Sequence, residues 1–309
     1  MEYTILGKTG FRVSRLGIGT AEIGFQHMSV ASVSELLLFA LDHGINVIDT
    51  ARGYGSAEEL IGKTLGHRRR DFIIVSKCGY GEVEGMEFLP PWSKKKISVS
   101  VDQSLKKLRT DHIDVMLLHT CEKDVLQKGE ALEALLLAKE KGKIRFIGYS
   151  GDNEDSLYAL SLPPIDVLEC SFNVTDQYNL EKVLPLAKEK NVGVLVKRPL
   201  ANCPWKDPLT LPSYAREYGE EYRRRFKQMG LKASDLGIEE EAWAEFFLRF
   251  VLSFPEIHVV LVGVSKLEHL VENLQTLKKG ALPQVVVHNV REAFKKAQSS
   301  SNELWVGQG

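Results

Sequence analysis

Four side chains in this sequence have the types needed to place a proton on a carbonyl oxygen: Asp49, Tyr54, Lys77 and His119. Asp49 ends the apolar run Asn46-Val-Ile-Asp, and Tyr54 follows five residues later between Gly53 and Gly55. Lys77 closes Phe72-Ile-Ile-Val-Ser-Lys, and His119 closes Asp114-Val-Met-Leu-Leu-His. An ammonium beside a phenol favours the phenolate, so Tyr54 is expected to fall from about 10 toward working pH. Each residue alone has a plainer reading as a turn former, a packing ring, a solvated lysine or a structural histidine. Together they make an acid catalyst, provided that neighbouring parallel strands bring their ends to one place.

The surrounding pattern supplies such strands. Strand-like runs fall at Arg15-Leu-Gly-Ile-Gly, Asn46-Val-Ile-Asp, Phe72 to Ser76, Ile113 to Leu118, Ile144 to Gly148, Val167 to Cys170, Val192 to Val196 and Val259 to Gly263. Helical periodicity lies between them, at Val33 to His43, Ser56 to Leu65, Ile97 to Leu108, Glu130 to Lys141, Glu154 to Leu160, Leu180 to Lys190, Glu239 to Ser253 and Leu267 to Lys278. Ser56 and Glu59 have the spacing of a capping box. Eight alternations predict a closed (β/α)8 TIM barrel, as one domain over residues 1–309. A doubly wound open sheet is the alternative, but no glycine follows Gly19 at the spacing of a dinucleotide fingerprint. Tyr3 to Val13 reads as an N-terminal hairpin that plugs one end of the barrel. Leu200 to Gly237 is a long loop after the seventh strand, with three prolines and a helical run from Tyr214 to Met229. A C-terminal tail carries a further helical pattern at Val290 to Ala297.

Bulk properties narrow the function. The chain has 309 residues, 44% hydrophobic and 26% charged, with a formal net charge of -1. Such a balance attracts neither nucleic acid nor an anionic membrane. No apolar run reaches the roughly 20 residues of a membrane span, and the N-terminus lacks a signal pattern. Four cysteines do not make a disulfide framework, so a cytoplasmic protein with reduced thiols is expected.

Several segments together are similar to the aldo-keto reductase family. They are Gly44-Ile-Asn-Val-Ile-Asp-Thr-Ala, Tyr54-Gly-Ser-Ala-Glu-Glu-Leu-Ile-Gly, Lys77, Leu117-Leu-His119, Gly142-Lys-Ile-Arg-Phe-Ile-Gly and Glu272-Asn273. The resemblance spans nearly the whole chain. It implies an NAD(P)H-dependent oxidoreductase that interconverts aldehydes, ketones or sugar carbonyls with alcohols. In that reading Tyr54 is the general acid or base, Lys77 activates it, Asp49 holds the lysine and His119 orients the carbonyl. The resemblance also implies cofactor contacts at Thr20, Asp49, Ser150, Asn173, Lys197, Arg198, Leu200, Gly263, Ser265, Lys266, His269, Glu272 and Asn273. Gly151 stands where the family often has asparagine, and Arg198 lies near the place of an aromatic that stacks on nicotinamide. Gly263 and His269 stand where many NADP-specific members carry lysine and arginine. NADP(H) is the expected cofactor, with NAD(H) the alternative, and no metal is expected. The expected partner is a small carbonyl or alcohol substrate, with no nucleic acid and no membrane; a monomer is compatible and the oligomeric state is open.

The rival reading is a non-catalytic nicotinamide-binding regulatory subunit of the same fold. Cys78, Cys121, Cys170 and Cys203 lie at or beyond strand ends, but without a Cys-x-x-Cys pair they read as reduced thiols rather than metal ligands. Arg223-Arg-Arg225 reads as a solvated helix face. Trp92, in the loop after the third strand, is a candidate pocket wall, and Trp305 in the tail a weaker one.

Overall fold

The computed structural model describes residues 1–81 and 83–308, apart from the side chain of Tyr214. An antiparallel hairpin, β1 (Tyr3–Ile5) and β2 (Arg12–Ser14), precedes eight parallel strands. These are β3 (Leu16–Gly19), β4 (Val47–Asp49), β5 (Ile73–Cys78), β6 (Ile113–His119), β7 (Ile144–Ser150), β8 (Val167–Ser171), β9 (Gly193–Lys197) and β10 (Val259–Gly263). They pair in chain order, and β10 closes the barrel by pairing with both β9 and β3. The expected (β/α)8 barrel is therefore the fold, and each expected strand is present within a few residues.

Two-residue alternation sorts the side chains into an inner and an outer set. Val47, Val75, Val115, Leu117, Val167, Leu195, Val259 and Leu261 form one apolar cluster together with Leu6 and Val13 of the hairpin. Ile48, Ile74, Met116, Leu118, Ile147, Leu168, Cys170, Val194, Val196, Val260 and Val262 instead join the larger cluster packed against the helices. Leu6 enters the inner cluster from below; a side chain at Gly193 would run into it. The hairpin thus plugs the N-terminal end, held by the Lys8 amide donating to the Asn191 carbonyl at 2.7 Å.

Several helix boundaries differ from the sequence expectation. The run expected from Leu180 to Lys190 breaks into Tyr178–Glu181 and Val183–Glu189. Pro185 has no N–H for the Glu181 carbonyl four residues back, which accounts for a break there. Ser56 does not form a capping box: it has φ -88° and ψ 3° and makes no side-chain cap bond. A capping side chain needs an extended backbone to reach back over the first turn. The helix expected from Glu239 begins as a 3-10 turn, Glu240–Ala242, and becomes regular at Trp243–Leu252. The tail helix is much longer than expected, Gln284–Ser301, starting directly after Pro283.

Arg225 corrects the reading of a solvated arginine face. It is 2% exposed and donates to Glu221, to the Thr175 carbonyl and to the Val306 carbonyl of the tail. Its guanidinium lies 5.5 Å from the Trp305 ring centre, and Trp305 in turn meets Phe294 edge-on. The helix Ser213–Met229 of the long loop is covered by the folded-back tail, so one of its arginines is interior.

Candidate active site

The alternation that fills the barrel also builds the layer above the apolar one. Two residues beyond Val47, Val75, Leu117, Val167 and Leu195 stand Asp49, Lys77, His119, Glu169 and Lys197. The register sets them at similar height: Gly19 pairs with Asp49, Lys77 with Leu117, His119 with Ser150 and Ser150 with Glu169. All lie at the C-terminal ends of their strands, where barrels of this kind place their chemistry.

Lys77 is fully buried at the centre of this layer. Its Nζ donates to both Asp49 carboxylate oxygens, at 2.6 and 2.7 Å, and to the Thr50 carbonyl at 3.1 Å. Glu169 Oε2 forms a second ion pair at 3.2 Å, without the alignment of a hydrogen bond. Burial opposes the ammonium, but Asp49 and Glu169 outweigh it and hold Lys77 above the usual lysine range. Burial raises Asp49 well above the usual carboxylate range, helped by Glu169 and opposed by Lys77. Burial acts on Glu169 in the same sense, yet Lys77 and Lys197 draw it down to about 2. Asp49 nonetheless has the closer grip on the ammonium, so titration of these carboxylates belongs to the pair.

Tyr54 reaches this cluster from the turn after β4. Its amide donates to the Ala51 carbonyl, and its carbonyl accepts from the Ala57 amide. Gly55, at φ 54°, provides the left-handed step that lets the chain turn into the next helix. The Lys77 Nζ lies 5.0 Å from the Tyr54 ring centre. The expected lowering of the tyrosine does not occur. Burial is the largest influence and raises Tyr54 above 10; Lys77 opposes it, but Asp49 and Glu169 reinforce it. One cation placed between two carboxylates has little net field left to stabilise a phenolate.

His119 meets Tyr54 edge to face at 5.9 Å and Tyr80 at 5.7 Å. Burial, then Lys77 and Lys197, push its imidazolium down to about 3, so the ring is neutral at ordinary pH. Its buried Nδ1 has no hydrogen-bond partner. Trp92 packs over Gly79, two residues beyond Lys77.

The remaining sequence candidates fall into three groups. Thr20 donates to the Asp49 carbonyl at 2.9 Å, and Ser150 to Glu169 Oε1 at 3.1 Å, so both brace the charged layer. Asn173 is turned inward: its amide donates to the Arg198 carbonyl and accepts from the Thr175 amide and hydroxyl. Lys197 pairs with Asp152 at 3.4 Å, Arg198 lies over the Tyr218 ring and donates to the Gln308 carbonyl, and Leu200 packs on the outer core. Gly263, Ser265, Lys266, His269, Glu272 and Asn273 lie apart from this layer, at the end of β10 and the first turns of the helix Leu267–Lys279. A side chain at Gly263 would collide with the Glu22 carboxylate.

Glu169 was missing from the sequence candidates, although an acidic residue inside Val167-Leu-Glu-Cys and in phase with Val167 was a readable signal. Asp152 and Ser171 were missed as well. They join β7 to β8 through the Ser171 amide and hydroxyl, which donate to Asp152. The thiols of Cys78, Cys121 and Cys170 are buried and Cys203 half-buried, and all four are free. Burial raises each of them, Cys121 to about 12.

A closed parallel barrel with a charged layer at the C-terminal ends of its strands defines a barrel enzyme whose site is that layer. The family model described as "Aldo/keto reductase family" matches residues 15–295. L-galactose dehydrogenase of Arabidopsis thaliana is 32% identical over 295 residues, covering 89% of this chain and 87% of that one. The NADH-specific methylglyoxal reductase of Escherichia coli is 28% identical over 215 residues, covering 63% of this chain and 66% of its own length. Among solved structures, the holo form of an aldo-keto reductase from Bacillus halodurans superposes with a TM-score of 0.79 at 25% identity, over 95% of this chain and 96% of that one.

The chain belongs to the aldo/keto reductase family, oxidoreductases that act on small molecules with nicotinamide cofactors. Among the described residues no helix is long and apolar enough to cross a membrane. Its own residues fit such a cofactor at the mouth of the barrel: the unpartnered His119 Nδ1 and the cations Lys197 and Arg198 stand at one rim. The backbone of Gly263 to Lys266 leads into a helix N-terminus at another, a place that suits phosphate.

Proposed function

We propose that this protein is an NAD(P)H-dependent oxidoreductase that interconverts aldehydes, ketones or sugar carbonyls with alcohols, with Tyr54 as its general acid and base. The observation that carries the reading is the buried Lys77, gripped by Asp49 and 5.0 Å from the centre of the Tyr54 ring. Beside it stands a neutral His119.

When bound, the nicotinamide supplies or accepts the hydride. Tyr54 supplies the proton to the carbonyl oxygen in reduction and takes it from the alcohol in oxidation. A phenol raised above 10 is fully protonated at neutral pH, which is the form that reduction requires. Neutral His119 offers one N–H to the same oxygen and adds no charge that would compete with Lys77. Lys77 is the one group of the cluster that favours the phenolate left after proton transfer, a pull that Asp49 and Glu169 reduce, and Asp49 keeps the ammonium in place. General acid catalysis of this kind contributes about 10²–10⁴-fold.

For the cofactor we propose NADP(H), with NAD(H) as the alternative. Lys266 and Ser265 favour the first, while the absence of a cationic side chain at Gly263 and the NADH-specific relative favour the second. Residues Ser150, Asn173, Lys197, Arg198 and Leu200 would surround the nicotinamide, and Glu272 and Asn273 the adenine. We take residues 1–309 as one barrel domain acting in the cytoplasm. Parallel titration with NADPH and NADH, followed by absorbance assays on a panel of small aldehydes and the matching alcohols, tests this. Cofactor binding with turnover of at least one carbonyl is expected; tight binding with no turnover of any carbonyl or alcohol would favour a regulatory subunit instead.

A further inference from the structure

Glu169 is the one carboxylate of the charged layer that the acid–base scheme above does not use. It lies on β8, across the barrel from Tyr54's turn, and is 1% exposed. Ser150 at the end of β7 donates to its Oε1 at 3.1 Å and so aims the other oxygen, Oε2, at Lys77. Oε2 is 3.2 Å from the Lys77 Nζ and has no hydrogen-bond partner. The ammonium has three hydrogens. The two Asp49 oxygens and the Thr50 carbonyl already accept three hydrogen bonds from it, so Glu169 Oε2 at 3.2 Å and Tyr54, whose ring centre is 5.0 Å away, compete for the field of an ammonium with no hydrogen to spare.

We propose that Glu169 is a positioning residue that competes with the Tyr54 oxygen for Lys77 and thereby holds Tyr54 as a proton donor, biasing the site toward carbonyl reduction. The proposal rests on the reading of Tyr54 as the general acid. Its physical basis is the count of charges: one ammonium serves two buried carboxylates before it serves the phenol. A carboxylate accepts an ammonium hydrogen more strongly than a phenol oxygen does. Replacing Glu169 by an amide of the same shape removes that advantage and the negative charge together. Lys77 then turns to Tyr54, which gains acidity and serves better as the base of alcohol oxidation.

The test needs neither cofactor nor substrate. Phenolate absorbance is titrated in the full-length protein and in Glu169→Gln, each against the same protein carrying Tyr54→Phe, so that the difference reports Tyr54 alone. In Glu169→Gln the Tyr54 phenolate is expected to be about tenfold more abundant at a given alkaline pH, a downward move of about one pH unit. Glu169→Asp keeps the charge and is expected to titrate like the parent. The proposal is overturned if Glu169→Gln titrates like the parent, or if Glu169→Asp moves as far as Glu169→Gln, since lost packing would then explain both. Should Glu169→Gln not fold, Ser150→Ala frees Glu169 from its aim at Lys77 and gives part of the same shift; no shift there is the overturning result. The pH profile of alcohol oxidation supplies a second reading, its rising limb moving to lower pH in Glu169→Gln. A titration shift in a protein that turns over no carbonyl or alcohol would uphold the role of Glu169 while refuting the proposed function.

Discussion

Gly24 packs so tightly on the turn that presents Tyr54 that a Cβ at residue 24 would overlap the Tyr54 carbonyl oxygen. The helix Ala21–Phe25 therefore braces the Tyr54 turn from behind, and Phe25 adds an edge contact to the Tyr54 ring at 5.8 Å.

Gly24→Ala is accordingly expected to displace Tyr54 while leaving the barrel core intact. Overpacking of this kind costs about 1–3 kcal/mol of stability. Misplacement by about 1 Å costs on the order of 10² in rate. Chemical denaturation and kcat measured on one sample separate the two effects. Unchanged kcat in a folded variant would show that the turn tolerates the added carbon.

His119 gives a prediction about pH. Its imidazolium is pushed down to about 3 by burial and by Lys77 and Lys197, whereas a free histidine titrates near 6.5. The ring stays neutral from pH 5 to 8, so kcat/KM for reduction is expected to be flat over that range. An inflection near 6.5 that disappears in His119→Asn would mean that the ring does charge in the working enzyme.

Asp176 ties the tail to the long loop, accepting from the Gln308 amide at 3.1 Å and the Tyr222 hydroxyl at 3.2 Å. Burial, then Asp152, raises it to about 7 against the pull of Arg225. An unfolded aspartate titrates near 3.9, so between about pH 4 and 7 the folded protein binds a proton that the unfolded chain does not. The stability that this group adds is therefore complete below about pH 4 and is lost as pH rises through 7. Asp176→Asn mimics the protonated form. Its advantage over the parent in urea denaturation should widen between pH 5 and pH 8, by up to about 1.4 kcal/mol per pH unit. An equal difference at both values would contradict the raised carboxyl.

The legibility of this chain in its sequence varies with the distance over which its physics acts. Asp49, Lys77 and His119 were readable because each closes an apolar strand, and strand period alone puts them on the interior side. The break before Pro185 was readable by the same local logic. Glu169 was in phase as well, but the sign of the Tyr54 shift is set first by burial, which a local run of residues does not reveal, and only then by Asp49 and Glu169. Arg225 could not have been read as interior. What buries it is the tail at Trp305 and Val306, some 80 residues away, and local composition pointed to a solvated face. The Asn173 amide illustrates the same limit, because its partner at Arg198 lies on the next strand's exit.

The account depends most on Tyr54 as the proton donor. The direct measurement is Tyr54→Phe, with cofactor affinity by fluorescence titration and carbonyl reduction by absorbance on the same preparation. Affinity is expected to stay within about twofold, while kcat falls by about 10²–10⁴-fold or more. A variant that binds cofactor normally and keeps most of its kcat would contradict the assignment.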